Sequence, residues 1–397
     1  MRQLLVLFHR WFGFFTAVFL LISGLTGAVI SWDHELDEWL NPQLCQPQTN
    51  AKPIDALVLA AQLEAADPRL LVSYLPLQTE VGRALGVSVD ARVDPATKKI
   101  FDIDFNQVAL DPVTGIVQGK REWGAVSLTR ENLLPFLYKL HYSMHIPDGF
   151  NIELGVLFMG IVGIVWTIDC LIALWISFPR SRSWHKSFAF RWHKGPRVIN
   201  FDLHRSGGVW VWFFLLLLAI TSVSMNLGYQ VTRPLVSLVS DLAPSPFEGR
   251  ALHPETDPVL PAISREKIVA QAREEAVRRG WLAPAGSVFY SVEVGLYGVS
   301  FFEPGHDHGD GGLGNPRLYF DGQDGRLVGD DVPGSGSAGD IFLQAQYPLH
   351  SGRIVGLPGR IFISLMGLVV AMLSATGIII WIRKRSFRRR KLPQAAA

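Results

Sequence analysis

Four stretches of this chain carry almost no charge over lengths that few soluble folds can hide. Residues 11–32, 206–232 and 361–382 contain no Asp, Glu, Lys or Arg, and residues 154–178 contain only Asp169. Each exceeds the roughly 20 residues that cross a hydrocarbon core. Backbone groups find no water in lipid, so such runs have to close their hydrogen bonds internally, as helices do. The expectation is a membrane α-helical protein with four transmembrane helices. The composition agrees, at 49% hydrophobic and 18% charged among 397 residues.

The first run has a second reading as a cleaved leader, because Arg2 and Arg10 resemble a charged n-region. It is longer than an h-region of roughly 7 to 15 residues, and no Ala-x-Ala site follows. It is therefore expected to remain as an anchor.

Orientation follows from the basic residues. Arg180, Arg182, Lys186, Arg191, Lys194, Arg197 and Arg205 crowd the segment between the second and third runs, and residues 383–391 form a second basic cluster. By the positive-inside rule both face the cytoplasm. The layout is then a first span over 1–32, an outer module over 33–151, a second span over 152–178 and a basic loop over 179–205. A third span over 206–228, an outer module over 229–359, a fourth span over 360–382 and a basic tail over 383–397 complete it. The termini are cytoplasmic, and in a bacterium the modules are periplasmic and the membrane is the inner one. The tail is read as attraction to anionic lipid headgroups, and no nucleic-acid partner is expected.

Each outer module reads as α+β. Residues 54–66 and 264–280 have helical character, and strands are expected over 86–93, 99–110, 287–293 and 298–303. A turn signal recurs between them, with Asp111 and Gly115 in one module matching Asp321 and Gly325 in the other. Gly and Pro punctuate 304–316 and 333–339, which are expected to be loops.

The chain repeats itself. His9, Arg10 and Gly13 open the first run, and His204, Arg205 and Gly208 open the third, 195 residues later. Leu140-His141 precedes the second run and Leu349-His350 the fourth, 209 residues apart. Both halves run inside, outside, inside, which makes them parallel repeats about an axis along the membrane normal. Residues related by a twofold can face one another across its axis. His9 is accordingly paired with His204 near one membrane face, and His141 with His350 near the other. Two imidazoles facing each other are the axial ligands of a b-type haem, and two such pairs imply two haems.

Several neighbours are left with two readings. His145 lies four residues after His141, and His34 lies on the same outer side; either is an alternative outer ligand or a contact for a propionate or substrate. Arg10, Arg205 and Arg353 follow candidate ligands and suit haem propionates or lipid headgroups. Gly13, Gly207, Gly208, Gly352 and Gly356 would admit a flat macrocycle or simply close helix packing. Asp169 either moves protons or hydrogen-bonds to Ser, Thr or Trp on a neighbouring helix. His306 and His308 sit in a glycine-rich loop and are read as solvated rather than as a metal site. Cys45 and Cys170 lie at different depths, and the absence of Cys-x-x-Cys excludes c-type haem attachment and thiolate-held iron-sulfur clusters.

The stretches His9-Arg10-Trp11-Phe12-Gly13, Ser23-Gly24-Leu25-Thr26-Gly27, Leu140-His141-Tyr142-Ser143, Asp202-Leu203-His204-Arg205 and His350-Ser351-Gly352-Arg353 together resemble the PepSY-associated transmembrane proteins over nearly the full length. The segment 304–316 is not part of that pattern. The resemblance implies PepSY-like outer modules and the activity of an inner-membrane ferric siderophore reductase, with a ferric siderophore as substrate and an electron donor the sequence does not name. Two other functions fit the same residues. One is a cytochrome b subunit passing electrons to a partner reductase or quinone. The other is a haem-free regulatory or binding protein, which would show no Soret band.

Overall fold

The computed structural model describes residues 1–391 except 50, 80, 151, 180, 255 and 308–310, with the backbone alone over 387–391. Its helices are α1 (Arg2–Ile30), α2 (Asp33–Leu40), α3 (Pro42–Cys45), α4 (Ala56–Ala66), α5 (Leu133–Ser143), α6 (Leu154–Ser177), α7 (Pro196–Trp210), α8 (Trp212–Asn226), α9 (Arg233–Ser237), α10 (Arg265–Arg278), α11 (Ala338–Gln344), α12 (Gln346–Ser351) and α13 (Leu357–Lys391). Its strands are β1 (Leu70–Pro76), β2 (Leu85–Ala91), β3 (Gln107–Leu110), β4 (Val117–Arg121), β5 (Ala285–Ser291), β6 (Leu296–Phe301), β7 (Arg317–Asp321) and β8 (Leu327–Asp331). The chain forms two compact units. One comprises Met1–Ser31, Leu137–Val236 and Gln346–Ala397, the other Trp32–Phe136 and Ser237–Ala345.

The first unit is helical. By length and composition, α1, α6 and residues Leu357–Ser386 of α13 are apolar enough to cross a membrane. A fourth span arises if α7 and α8, bent by 72° at their junction, count as one. The sequence suggested an unbroken third span over 206–228. The helix instead leaves α geometry at Val211, just after Ser206-Gly207-Gly208, the kind of small-residue cluster at which helices bend.

Helices α1 and α13 run antiparallel, and they approach closely where glycine meets glycine. A Cβ on Gly24 would fall 2.6 Å from the Gly367 carbonyl oxygen. Phe14 stacks on Trp381 at 4.4 Å toward one end, and Arg360 donates to the Ser31 carbonyl at the other. Helices α6 and α8 make the equivalent pair, with the Trp212 indole donating to the Cys170 carbonyl at 2.8 Å. Lipid offers no hydrophobic driving force between helices, so close backbone approach and such hydrogen bonds carry the association.

The second unit is built on one antiparallel sheet in the order β4-β3-β2-β1-β5-β6-β7-β8. The strands of the two sequence modules are thus continuous, joined where Tyr74, Leu75 and Pro76 of β1 pair with Phe289, Val288 and Ser287 of β5. Helices α4 and α10 cover one face, burying Leu59, Ile268 and Val269 against Leu70, Val72, Val288 and Val299. Buried Arg265 ties the halves together, its guanidinium donating to Glu64 at 2.9 Å and to the Val72 carbonyl at 2.8 Å.

Both turn aspartates act as expected. Asp111 accepts from the amides of Val113 and Thr114, Asp321 from that of Gln323, and Gly115 and Gly325 supply φ of +73° and +74°, values that glycine takes without a Cβ penalty. Of the expected strand over 99–110, only 107–110 is strand. Strands β1, β4, β7 and β8 are additional.

Candidate functional site

The helical unit brings the four repeat histidines together in two pairs. The rings of His9 on α1 and His204 on α7 lie 6.1 Å apart between centroids. Those of His141 on α5 and His350 on α12 lie 6.2 Å apart. Against α1 the two pairs are widely separated. His9 belongs to its second turn and His141 contacts Thr26, about 25 Å further along at roughly 1.5 Å per residue.

Each ring is held through Nδ1, and the partners fix the tautomer. His141 Nδ1 bonds the Ser23 carbonyl at 2.9 Å and His204 Nδ1 the Leu373 carbonyl at 3.0 Å. A carbonyl can only accept, so both Nδ1 atoms carry the proton. His9 Nδ1 lies 2.9 and 3.1 Å from the two oxygens of Asp169, and the carboxylate accepts. The Thr221 hydroxyl already donates to the Leu217 carbonyl, so at 2.9 Å it accepts from His350 Nδ1. Nε2 is then the lone-pair nitrogen in all four rings, and among the described residues none of these Nε2 atoms makes a hydrogen bond.

That arrangement is the one metal-ligating histidines adopt, with the second ring nitrogen donating to a carbonyl, carboxylate or similar acceptor. A metal between two imidazoles, at roughly 2.0–2.1 Å from each nitrogen, places the ring centroids about 6.3 Å apart. Both observed separations match. Among the described residues no three His, Cys, Asp or Glu side chains converge to hold an ion. Two imidazoles alone are a sufficient donor set for iron that brings four equatorial nitrogens with it in a porphyrin. The residues present therefore fit haem. Glycine clears the way for two of the rings, since a Cβ on Gly27 would meet His141 Cε1 at 2.8 Å and one on Gly377 would meet His204 Cε1 at 3.0 Å.

The remaining expected site residues fall in different places. Arg10 keeps a buried Nε with no hydrogen-bond partner beside His9, a donor that suits an anionic group. Arg205 donates to the Ser177 carbonyl and to Ser187, tying α7 to the end of α6. Arg353 starts the short 3-10 turn after Gly352. His34 lies on α2, in the sheet unit.

The proposed i,i+4 relation of His145 to His141 does not hold, because α5 ends at Ser143 and Met144 and His145 take φ of 54° and 52°. The structure brings His141 to His350. Among the described residues Asp169 bonds neither Ser, Thr nor Trp; its partner is His9. His306 lies in the loop after β6, where Asn315 donates to its carbonyl, and His308 is outside the described residues. Cys45 and Cys170 are free, in the sheet and helical units respectively.

Apart from Asp169, the acceptors behind the four histidines were not singled out from sequence. Thr26 and Thr221 stand 195 residues apart, the same offset that relates His9 to His204, and that shared interval was the available signal. The acceptors supplied by Ser23 and Leu373 are backbone carbonyls and leave no side-chain trace.

The family described as the PepSY-associated TM region matches residues 6–384. The chain belongs to this family. The chain is also 26% identical over 276 residues to an uncharacterized protein of Pseudomonas aeruginosa, an overlap covering 64% of each chain. Family and apolar helices together mark the PepSY-associated protein as a membrane protein.

Proposed function

We propose that this protein is a di-haem b-type reductase of the bacterial inner membrane that carries electrons across the bilayer to a ferric siderophore in the periplasm. The observation that carries the reading is the two histidine couples, with ring centroids 6.1 and 6.2 Å apart, each ring held through Nδ1 and, among the described residues, with no hydrogen bond at Nε2. His9 and His204 would hold one haem, and His141 and His350 the other. Bound there, haem supplies reversible one-electron exchange between ferric and ferrous iron.

The chain's part is to bind, orient and insulate. With one imidazole from each of two histidines at either site, iron held there would have no vacant position for oxygen, which would suit electron transfer. The hydrogen bonds from Nδ1 fix each ring's rotation. With α7 and α8 counted as one span there would be four crossings, and the basic segments support a cytoplasmic side for both termini by the positive-inside rule. On that topology the His9/His204 site would accept electrons from the cytoplasmic side and the His141/His350 site would pass them outward. Ferrous iron is a poorer match than ferric for hard oxygen donors, so reduction weakens a siderophore's hold. The resemblance to siderophore reductases, together with family membership, supports this substrate class.

The test is a reduced-minus-oxidised spectrum with haem quantification on the purified protein. Two haems are expected in the parent and about one each in His9→Ala and His350→Ala, since each variant breaks one bis-imidazole pair. Chemically reduced protein is expected to be reoxidised by a ferric hydroxamate or catecholate chelate. A colourless parent sinks the haem reading, and pigment that ferric chelates cannot reoxidise sinks the substrate class.

A further inference from the structure

We infer that Asp169 is a positioning residue that sets iron held by His9 and His204 at a lower midpoint potential than iron held by His141 and His350. The inference rests on the haem reading above and concerns how the two sites differ.

The four Nδ1 donors are treated unequally. Three meet neutral acceptors: the Ser23 carbonyl with the Thr26 hydroxyl, the Leu373 carbonyl with the Thr376 hydroxyl, and the Thr221 hydroxyl. The fourth, on His9, meets both oxygens of a carboxylate. Asp169 lies within α6 at 7% exposure. Among the described residues its carboxylate makes no other hydrogen bond or ion pair. An acid inside an apolar helix is costly and persists where a partner repays it, and here that partner is the imidazole of His9.

A purely structural explanation does not account for the charge. The same task, holding an imidazole ring by Nδ1, is met three times in this unit by a carbonyl or a hydroxyl. Within the same pair, His204 is held by Leu373 and Thr376 with no carboxylate. What the carboxylate adds is a stronger pull on the Nδ1 proton, which makes Nε2 a better electron donor to a bound metal. A more basic ligand and a nearby negative charge both favour ferric over ferrous iron, which lowers the midpoint potential. The asymmetry therefore biases electrons away from the His9/His204 end toward the His141/His350 end.

The experiment is a spectroelectrochemical titration of the purified full-length protein in lipid nanodiscs, with haem counted for every variant. His350→Ala isolates the His9/His204 midpoint. Asp169→Asn keeps a hydrogen-bond acceptor of the same size without the charge. It is expected to raise that midpoint by at least 59 mV, a tenfold change in a one-electron equilibrium, while the other midpoint stays put. Asp169→Glu is expected to remain near the parent value.

Retained haem with an unmoved midpoint in Asp169→Asn overturns this inference alone. A parent protein that takes up no haem overturns the haem reading and this inference with it. Should Asp169→Asn lose pigment, Thr376→Asp decides: a second carboxylate beside His204 is expected to lower the same midpoint further, and no shift overturns the proposal.

Discussion

Gly27 on α1 lies directly against the imidazole of His141, so close that a Cβ there would stand 2.8 Å from Cε1. The ring cannot retreat without giving up its bond to the Ser23 carbonyl. Gly27→Val is therefore expected to displace His141 and to lower haem content from two to about one, because overpacking at a fixed contact forces a shift of side chain or backbone. Gly377→Val, which meets His204 Cε1 at 3.0 Å, is expected to remove the other haem. Equal haem in either variant and its parent would contradict the assignment of that site.

Thr221 and Thr26 sit at corresponding points behind His350 and His141 but carry unequal weight. His350 Nδ1 has the Thr221 hydroxyl as its acceptor, whereas His141 Nδ1 also has the Ser23 carbonyl. Thr221→Val is expected to weaken haem retention at the His141/His350 site by about 10- to 100-fold, the usual effect of losing an outer-shell partner. Thr26→Val should have a much smaller effect. Competition for haem with apomyoglobin measures both.

Arg265 joins the halves of the sheet, and its loss should loosen the seam before the edges. Arg265→Met removes hydrogen bonds to Glu64 and to the Val72 carbonyl. Bonds of this charged type contribute about 1.5–3 kcal/mol each, and Glu64 stays partly solvated and keeps the Val72 amide. A net loss of about 2 kcal/mol is expected, roughly thirtyfold faster amide exchange in β1 and β5. Hydrogen exchange followed by mass spectrometry reads this, with β8 as the internal control.

Acid should act on the sheet unit through its turns. Burial alone would raise the Asp111 carboxyl, but the amides of Thr114, Val113 and Thr49 outweigh it and hold the group below the ordinary 3.8. Asp321 is lowered as well: burial opposes the shift, and the Gln323 amide and the Arg250 guanidinium drive it. A carboxyl depressed in the folded state stabilises it fully above the unfolded value, and that contribution is lost as pH falls through the folded value. Stability of the unit should thus decline below about pH 4. Asp111→Asn, less stable at neutral pH, should show a shallower decline, as thermal melts between pH 6 and 2.5 would reveal.

Much of the site was legible because duplication leaves a numerical trace. The intervals linking His9 to His204 and His141 to His350 are enough to pair residues that lie far apart in sequence. The hydrogen-bond acceptors of His141 and His204 were not legible, since a carbonyl on Ser23 or Leu373 looks like any other. Strand β1, Leu-Leu-Val-Ser-Tyr-Leu-Pro, lacks the alternation of a half-buried strand, and its burial follows no strict alternation either; it lies at the centre of the sheet, between β2 and β5. The bend at Val211 was hidden inside a run whose lack of charge gives no hint of backbone direction. The place of His145 relative to His141 was not legible for a related reason: its helix stops two residues earlier, and spacing rules apply only while a helix continues.

The seam between β1 and β5, and the contribution of one imidazole to each couple by each half, mean that neither half is complete by itself. A polypeptide of half this length would leave β1 unpaired at the seam and hold one histidine of each pair, and a second copy could complete both. With both halves in one chain the two need not be identical, and at Asp169, beside His9 alone, they are not.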